Sequence, residues 1–396
     1  MSETPRPHRP YSRRGALRLG GRVLTGAALA GLAGTGAVRS LAASTSTHGG
    51  RLLDRPLRIG YLPITDAGAL LVAYERGLLA DAGVDAERPV LFRSWDSLAQ
   101  ALTTGQVDVV HMLMPMALQL RIAKKAPIKV VAWGHTNGSA LTVAPRITDV
   151  AQLAGAKVAI PFWWSVHNVL LQRMLDAAGL KAVTGTASAA AGTVELLVMS
   201  PADMVPALRA GSIAGFVVAD PFSALAEASG VGHVLRFLGD VWKDHACCAV
   251  TVREDLATAY PEAATALVAS VVRAQQWLAA HRTRGARELG PTGYLPQPVK
   301  AIDKVFNRTA AAYRDVLRHP AWQGQRLGFS AFPAASYTAS LVELMGRTTV
   351  DGDTSFLSGL TGAAAHRELV DDRFVTQALS SVGIPLVRNR KELIEP

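Results

Sequence analysis

Four short stretches of the sequence carry side chains that are able to hold a small oxyanion. Thr65 and Asp66 stand where a strand pattern gives way to a helix pattern, and a helix N-terminus offers free N–H groups and a favourable dipole. Trp95 offers an indole N–H, His167 an imidazole and Lys243 a fixed positive charge. Anions are held by hydrogen-bond donors and a nearby cation, so these residues are candidates for lining an anion-binding cleft.

Each stretch also has a purely structural interpretation. Thr65 or Asp66 would cap an ordinary helix. Trp95 would fill the core, and His167 would be a packed side chain with its nitrogens satisfied. Lys243 would be a solvated surface residue. From the residues alone, both interpretations stay open for every stretch.

The two cysteines, Cys247 and Cys248, are adjacent in the sequence, and a disulfide between sequence neighbours is strained. We therefore expect no disulfide framework and interpret the pair as small residues of a buried strand. The sequence shows no zinc spacing, no nucleophile–base constellation and no glycine-rich phosphate loop. We predict no metal, no cofactor and no catalysis.

Strand and helix patterns alternate along the chain, which predicts α/β units with mainly parallel sheets. We expect the first part of lobe 1 at residues 57–144, lobe 2 at 145–239, and a return to lobe 1 with C-terminal helices at 240–396. Crossovers near Pro145 and Asp240 would join the lobes. Ligands of such sheets bind beyond the carboxyl ends of the strands, so the site is predicted in the cleft between the lobes.

Residues 1–42 are basic, with seven arginines and one glutamate, and end in a small-x-small pattern. Arg13 and Arg14 precede a weakly apolar stretch that is too short to span a membrane. This order is typical of a twin-arginine signal peptide, and residues 43–56 form a polar linker. No cysteine follows the apolar stretch. We expect export to the periplasm or another extracytoplasmic space, without a lipid anchor.

The charge of the whole chain argues against nucleic-acid binding. The formal net charge is +10, but the excess of basic over acidic residues beyond residue 42 is only four. A nucleic-acid-binding domain carries a concentrated basic patch. The sequence therefore predicts a globular protein whose partners are not nucleic acids.

The chain resembles the solute-binding proteins of ABC importers for nitrate, bicarbonate, sulfonate and taurine, and most of all the nitrate- and bicarbonate-binding branch. The segments that carry the resemblance, between residues 57 and 300, are IGYLPITDAGALLVAYERGLLADAGV, SWDSLAQALTTGQVDVVHMLMPM, NGSALTV, VHNVLLQRMLDAAGL, PADMVPALRAGSIAGFVVADPF and VWKDHACCAV. It implies an α/β, two-lobe periplasmic binding protein fold of type II, here with a helical C-terminal extension. It also implies a monomer that captures a small anionic or zwitterionic ligand by lobe closure and delivers it to an ABC permease in the membrane.

The resemblance assigns roles to several residues. Trp95 and His167 match positions that contact the anion, and Lys243 matches a lysine that pairs with nitrate. Asp220 matches an acid at a strand end, which would orient Lys243 or another donor, or close the lobes. Thr136 and Asn137 are predicted to add polar contacts from lobe 1.

The sequence departs from the family pattern at two positions near the predicted site. Trp164 stands ahead of His167 where the nitrate branch has small residues, so its ring would reshape the wall of lobe 2. Asp96 follows Trp95 where the family favours glycine, and a carboxylate repels an anion unless it is paired. A nitrate-, nitrite- or bicarbonate-like anion remains the first candidate, with a sulfonate, taurine or a heteroaromatic ligand as alternatives.

Two other functions are compatible with the same fold. One is a binder or synthase of a thiamine-pyrimidine precursor, because such synthases carry a cysteine run that His245-Ala246-Cys247-Cys248 resembles faintly. Those proteins act inside the cell, which disagrees with the export leader. The other is a ligand sensor, although no DNA-binding or kinase segment accompanies the lobes.

Overall fold

The computed structural model describes residues 52–388 and 390–396. The predicted signal peptide and most of the predicted linker lie outside the described residues. None of the helices in these two ranges is both long enough and apolar enough to span a membrane. Apolar side chains from both sheets and from the C-terminal helices form one extensive buried core.

Lobe 1 is built on a five-stranded sheet. Its strands are β1 (Ile59–Tyr61), β2 (Val90–Leu91), β3 (Val109–Leu113), β4 (Ile128–Trp133) and β11 (Cys248–Arg253), in the order β2-β1-β3-β11-β4. Strands β1 to β3 are parallel, and β11 runs antiparallel between β3 and β4. The continuous apolar run of β3 is typical of a strand buried on both faces.

Lobe 2 is built on a six-stranded sheet. Its strands are β5 (Ser139–Val143), β6 (Lys157–Ile160), β7 (Lys181–Val183), β8 (Thr193–Val198), β9 (Gly215–Ala219) and β10 (His233–Phe237), in the order β10-β5-β9-β6-β8-β7. Strands β6 to β9 are mutually parallel, and β5 runs antiparallel to both β9 and β10. The predicted α/β class with two lobes is confirmed.

The chain crosses between the lobes twice. The first crossover occupies residues 134–138, because β4 belongs to the first sheet and β5 to the second. It therefore lies earlier than the sequence predicts, ahead of Pro145. The sequence analysis places the crossover later because the apolar residues of β5 do not indicate which of the two sheets the strand joins. The second crossover occupies residues 238–247, close to the predicted Asp240.

Helices flank both sheets. They are α1 (Gly68–Glu75), α2 (Leu78–Asp81), α3 (Trp95–Thr103), α4 (Met114–Leu118), α5 (Val166–Ala177), α6 (Pro201–Arg209) and α7 (Phe222–Ala228). Ser165 caps α5, because its hydroxyl accepts a hydrogen bond from the Asn168 N–H. Ser94 caps α3 in the same way, so Trp95 is the first residue of that helix.

The C-terminal part is helical, as predicted. Its helices are α8 (Glu254–Ala259), α9 (Pro261–Ala280), α10 (Arg282–Glu288), α11 (Val299–Phe306), α12 (Ala335–Met345), α13 (Gly362–Leu369) and α14 (Arg373–Ser381). The pattern of residues 297–317 predicts one continuous helix, but α11 ends at Phe306. It ends there because the following chain carries the Arg308 side chain to a buried partner in lobe 2.

Candidate functional site

Four polar side chains converge at the edge of the first sheet. They are Asp66, His135, Cys247 and Cys248, and one carboxylate oxygen, ring nitrogen or sulfur from each lies within 4.8 Å of the others. All four residues are buried. Two thiols, an imidazole and a carboxylate thus share a space the size of a small ion. We call this set the Cys–His–Asp cluster.

The sheet topology brings these residues together. Asp66 follows β1, and His135 follows β4, so both lie at the carboxyl ends of strands with the same direction. Cys248 begins β11, which runs in the opposite direction, and Cys247 precedes it. The beginning of an antiparallel strand lies at the edge where its parallel neighbours end. The cluster therefore occupies the edge that faces lobe 2.

Lobe 2 contributes His167 and Ser139 to the same place. His167 Nε2 lies 3.0 Å from Ser139 Oγ and 3.6 Å from Cys247 Sγ. The lobes also touch through their backbones, because the Thr65 N–H donates to the Asp220 carbonyl at 2.8 Å. The Thr65 hydroxyl donates to the same carbonyl at 3.0 Å. The cluster is therefore enclosed between two lobes in contact.

Further rings line the cluster. His111, from β3, and His245, from the second crossover, are both buried, and burial is the main cause that lowers the pKa of each to about 3. Both imidazoles are therefore neutral. Trp95 packs edge-to-face on His111, with ring centroids 5.7 Å apart. Trp95 therefore lies near the cluster, with His111 as its contact, and its role in binding a ligand remains a prediction.

The ionisable groups of the cluster influence one another. The Asp66 carboxylate lies 2.9 Å from His135 Nε2. Burial alone would lower the pKa of His135, but Asp66 and Cys247 outweigh it and raise that pKa to about 10. Burial raises the pKa of Asp66 to about 7, against the opposing effect of His135. We place the proton on His135 because the carboxylate stabilises the imidazolium directly.

The two thiols differ. Burial opposes ionisation of Cys247, but the hydrogen bond with Cys248 and the field of His167 hold its pKa well below the ordinary value. Burial and the neighbouring Cys247 raise the pKa of Cys248. Their sulfurs are 3.6 Å apart, and both cysteines are free. Cys247 is thus the more acidic of the two thiols, because the Cys248 thiol stabilises its charged form.

Several buried polar atoms around the cluster have no hydrogen-bond partner among the described residues. They are Nδ1 of His167, both ring nitrogens of His111, Nε2 of His245 and Nε1 of Trp95. Buried polar groups are normally satisfied, and exceptions call for an explanation. Unpaired donors and acceptors gathered where the lobes meet are what a small polar ligand would use.

Asp220 has a different partner from the one the sequence suggests. Its carboxylate forms a buried, two-point ion pair with Arg308, whose guanidinium also lies over the Phe237 ring at 5.1 Å. Lys243 is not involved. The backbone carbonyl of Asp220, and not its carboxylate, makes the contact with Thr65 across the lobes.

Lys243 lies outside the cluster. It is half-buried and lines an open groove of about 650 Å³ together with Thr136, Arg390 and Lys391. Its backbone N–H donates to the Leu393 carbonyl, so the C-terminal tail of the chain holds this turn. The predicted pairing of Lys243 with an anion beside His167 finds no support in this geometry.

The remaining predicted residues belong to the interlobe framework. The Asn137 N–H donates to the His245 carbonyl at 2.9 Å, and its side chain donates to the Arg326 carbonyl. Thr136 pairs through its backbone with Gly328. Trp164 is buried against Phe356 of the C-terminal part, edge-to-face, with centroids 5.2 Å apart. None of these three residues is a member of the Cys–His–Asp cluster.

The sequence analysis does not select His135 of the cluster or the neighbouring His111. They occur in or directly after apolar strand runs, IKVVAWGH and VVHML, where a polar residue at a buried position is an available signal. It interprets the adjacent cysteines as small buried residues, with a faint resemblance to the cysteine run of a synthase as the alternative. Arg308 carried no signal, because it falls in a pattern that predicts continuous helix.

Solved structures of known proteins share this fold. The periplasmic nitrate-binding protein NrtA from Synechocystis PCC 6803 superposes with a TM-score of 0.68 at 20% identity, covering 83% of this chain and 89% of that chain. The aliphatic sulphonate binding protein SsuA from Escherichia coli gives a TM-score of 0.57 at 19% identity, covering 86% and 96%. A ligand-binding component of an ABC-type import system from Staphylococcus aureus, solved with zinc bound, gives 0.65 at 23% identity, covering 82% and 99%. The fold is that of a two-lobed periplasmic binding protein.

Sequence comparison gives the family. Residues 52–289 match the NMT1-like family, and the chain belongs to it. The nitrate/nitrite binding protein NrtA of Nostoc sp. is 27% identical over 241 residues, which cover 56% of this chain and 53% of that protein. NrtA of Synechococcus elongatus is 26% identical, covering 61% and 59%. The chain thus spans little more than half the length of these relatives.

Proposed function

We propose that this protein is the extracytoplasmic solute-binding component of an ABC importer and that it captures a small anion between its lobes. The observation that carries the proposal is a group of buried polar atoms, where the two lobes meet, without hydrogen-bond partners in the described part of the chain. His167 Nδ1 contributes from lobe 2, and His135 Nδ1 and the Trp95 indole contribute from lobe 1. Relatives named for nitrate and for sulphonate binding support this class of solute.

The proposed mechanism is capture by closure. An open form binds the solute on one lobe, and the second lobe then closes over it and excludes water. The contact of Thr65 with the Asp220 carbonyl stabilises the closed arrangement. A monomer exported by the twin-arginine route would then dock on a membrane permease made of other chains. A receptor of this kind needs no catalytic group.

Thermal-shift and calorimetric titrations test the proposal. The purified chain is titrated with nitrate, nitrite, bicarbonate, taurine and an alkanesulfonate, each with and without added Zn²⁺. A solute that binds the closed form raises the melting temperature. His167→Ala should weaken that binding about 10-fold or more, since a hydrogen bond to a charged group is worth about 1.5–3 kcal/mol.

Lys243→Ala is the matched comparison, because Lys243 lines the outer groove and not the cluster. We expect it to leave solute binding within about 3-fold of the unchanged protein. Loss of binding in Lys243→Ala with retention in His167→Ala would place the solute in the groove. No shift with any of these solutes, in either metal state, would overturn the assignment of an anion.

A further inference from the structure

The Cys–His–Asp cluster has the composition of a transition-metal site. Thiolates, imidazoles and carboxylates are the three ligand types of protein-bound zinc, which takes four of them in a tetrahedron. Asp66, His135, Cys247 and Cys248 provide one ligand atom each, all within 4.8 Å of one another. Soft thiolates favour zinc, cobalt or cadmium over magnesium or calcium.

The spacing of the sulfurs agrees with a shared ion. With Zn–S bonds of about 2.3 Å, two thiolates on one tetrahedral zinc lie about 3.8 Å apart. The Cys247 and Cys248 sulfurs are 3.6 Å apart and are not joined in a disulfide. Adjacent residues in an extended strand normally point to opposite faces. Here the pair stands at the very beginning of β11, where both sulfurs reach the same space.

Burial and missing partners are an independent observation. Ring nitrogen Nδ1 of His135 and oxygen Oδ1 of Asp66 are fully buried without a hydrogen-bond partner among the described residues. His167 Nδ1 is also buried without a hydrogen-bond partner among these residues. A buried carboxylate is costly unless a cation compensates it. None of the four cluster residues is a lysine or an arginine, so within the cluster the compensating charge comes from the His135 ring or from a bound ion.

We propose that Asp66, His135, Cys247 and Cys248 bind one thiophilic divalent metal ion of the zinc class between the lobes. This inference rests on the proposed function, because the metal site would lie in the same interlobe space as the solute. Four protein ligands complete a tetrahedral ion, and two thiolates and a carboxylate outweigh its two positive charges. The ion therefore orders the lobe 1 side of this space, and His167 and Ser139 remain the candidate donors on the opposite side. Binding releases the proton of the His135 imidazolium and the remaining thiol protons into solvent, because metal ligands bind in their deprotonated forms.

Cobalt is the probe, because its visible and near-ultraviolet bands report thiolate ligands directly. The full chain is reduced, freed of metal with a chelator, dialysed without oxygen and titrated with Co²⁺. We expect one equivalent to give thiolate-to-cobalt charge-transfer bands and tetrahedral d–d bands, and Zn²⁺ to abolish both by displacement. Absence of the charge-transfer bands in the unchanged protein overturns the proposal without reference to any variant.

Variants locate the site. Cys247→Ser and Cys248→Ser should each weaken the charge-transfer bands, and the double variant should lose them together with at least about 100-fold in affinity. His281→Ala is the control, because His281 is exposed and stacks on Trp277 far from the cluster in sequence. Should the cysteine variants fail to fold, X-ray absorption of the zinc-loaded unchanged protein decides, since sulfur neighbours support the proposal and an all-oxygen and nitrogen shell overturns it.

Anion titrations separate this proposal from the proposed function. A nitrate or sulfonate shift that appears only with Zn²⁺ supports both. A tight metal complex without a response to any anion supports the metal site and overturns the proposed anion receptor. An anion shift in metal-free protein that binds no Co²⁺ overturns the metal site and leaves the anion receptor intact.

Discussion

At the scale of single residues, Asp108 is the clearest electrostatic contact outside the site. It lies just before β3 and accepts hydrogen bonds from Arg55 at 2.6 and 2.7 Å and from Arg58 at 2.9 Å. Burial by itself raises the pKa of Asp108, but the arginine hydrogen bonds outweigh burial and lower it to about 2. The contact ties the segment that precedes β1 to the first sheet.

The contact of Asp108 with the two arginines makes the free energy of unfolding depend on pH in a defined window. Because the folded pKa of Asp108 is below its unfolded value, its contribution is complete above about pH 4 and is lost as the pH falls toward 2. Asp108→Asn should cost about 1–3 kcal/mol in denaturant unfolding at pH 7, and clearly less at pH 2.5. Asp351→Asn, at an exposed position, is the control and should change neither value by more than about 0.5 kcal/mol. An equal cost of Asp108→Asn at both pH values would contradict this account.

The candidate site shows what the sequence can and cannot predict about residues. The positions of Asp66 and His167 follow from short-range pattern, since each stands after a strand or at a helix start that faces the cleft. Lys243 misled the sequence interpretation because the C-terminal tail pairs with its turn, and that contact joins residues about 150 positions apart in the chain. His135 was overlooked for the converse reason, because it lies in the crossover that the sequence placed later.

At the scale of elements, the buried pair of Asp220 and Arg308 joins the end of β9 to the segment after α11. Arg308 lies against the Phe237 and Tyr313 rings, and Tyr313 also donates to Glu227 of α7. This arrangement fastens the C-terminal segment to lobe 2. It also explains why the predicted long helix ends at Phe306, because a continuing helix would not place the guanidinium on Asp220.

Removing one member of this pair should be costly. Arg308→Ala leaves a buried carboxylate without a partner, so we expect a loss of about 3–5 kcal/mol in the free energy of unfolding. The double variant Asp220→Asn/Arg308→Met should recover part of that loss, since no charge is then left buried and unpaired. Arg347→Ala, which breaks an exposed pair with Glu343, is the control and should cost less than about 0.5 kcal/mol. Equal losses in Arg308→Ala and the control would show that the pair is not buried in solution.

At the scale of the whole molecule, residues 346–361 form a bridge between the lobes. This bridging segment connects α12 to α13, and α13 packs on β4 and α4 of lobe 1. On the other side the Gln172 amide exchanges two hydrogen bonds of 2.8 Å with the Thr349 backbone, and Phe356 packs on Trp164. These contacts join the C-terminal part to α5 and to the residue just before its cap, and His167 is the second residue of that helix. The bridging segment therefore stabilises the closed arrangement.

Weakening the contact between the bridging segment and Trp164 should speed the release of a solute or metal bound between the lobes. Phe356→Ala removes the edge-to-face contact, which is worth about 0.5–1.5 kcal/mol beyond its buried area. We expect dissociation of the bound solute or metal to accelerate about 3- to 10-fold in stopped-flow experiments, with little change in association. Val387→Ala, at an exposed position on the C-terminal tail, is the control and should leave dissociation unchanged. Unchanged dissociation in Phe356→Ala would show that lobe opening does not break this contact.

The fold as a whole was predictable because alternation of strand and helix patterns fixes the α/β class and the number of units. The return of β11 into the first sheet was also indicated by its apolar run after the second lobe. The bridging segment was not predictable. Its contacts with α5 depend on how loops distant in sequence approach each other, and no periodicity in residues 346–361 reports such an approach.

The pairing of the C-terminal tail with the second crossover has a practical consequence. The Lys243 N–H donates to the Leu393 carbonyl, and the Glu395 N–H donates to the Val241 carbonyl, so Pro396 lies beside a segment through which the lobes are connected. Immobilising the protein on a sensor chip through that end would pull on the crossover itself and distort the kinetics being recorded. Coupling through Lys157, whose side chain is about half exposed on lobe 2, would leave the crossover free.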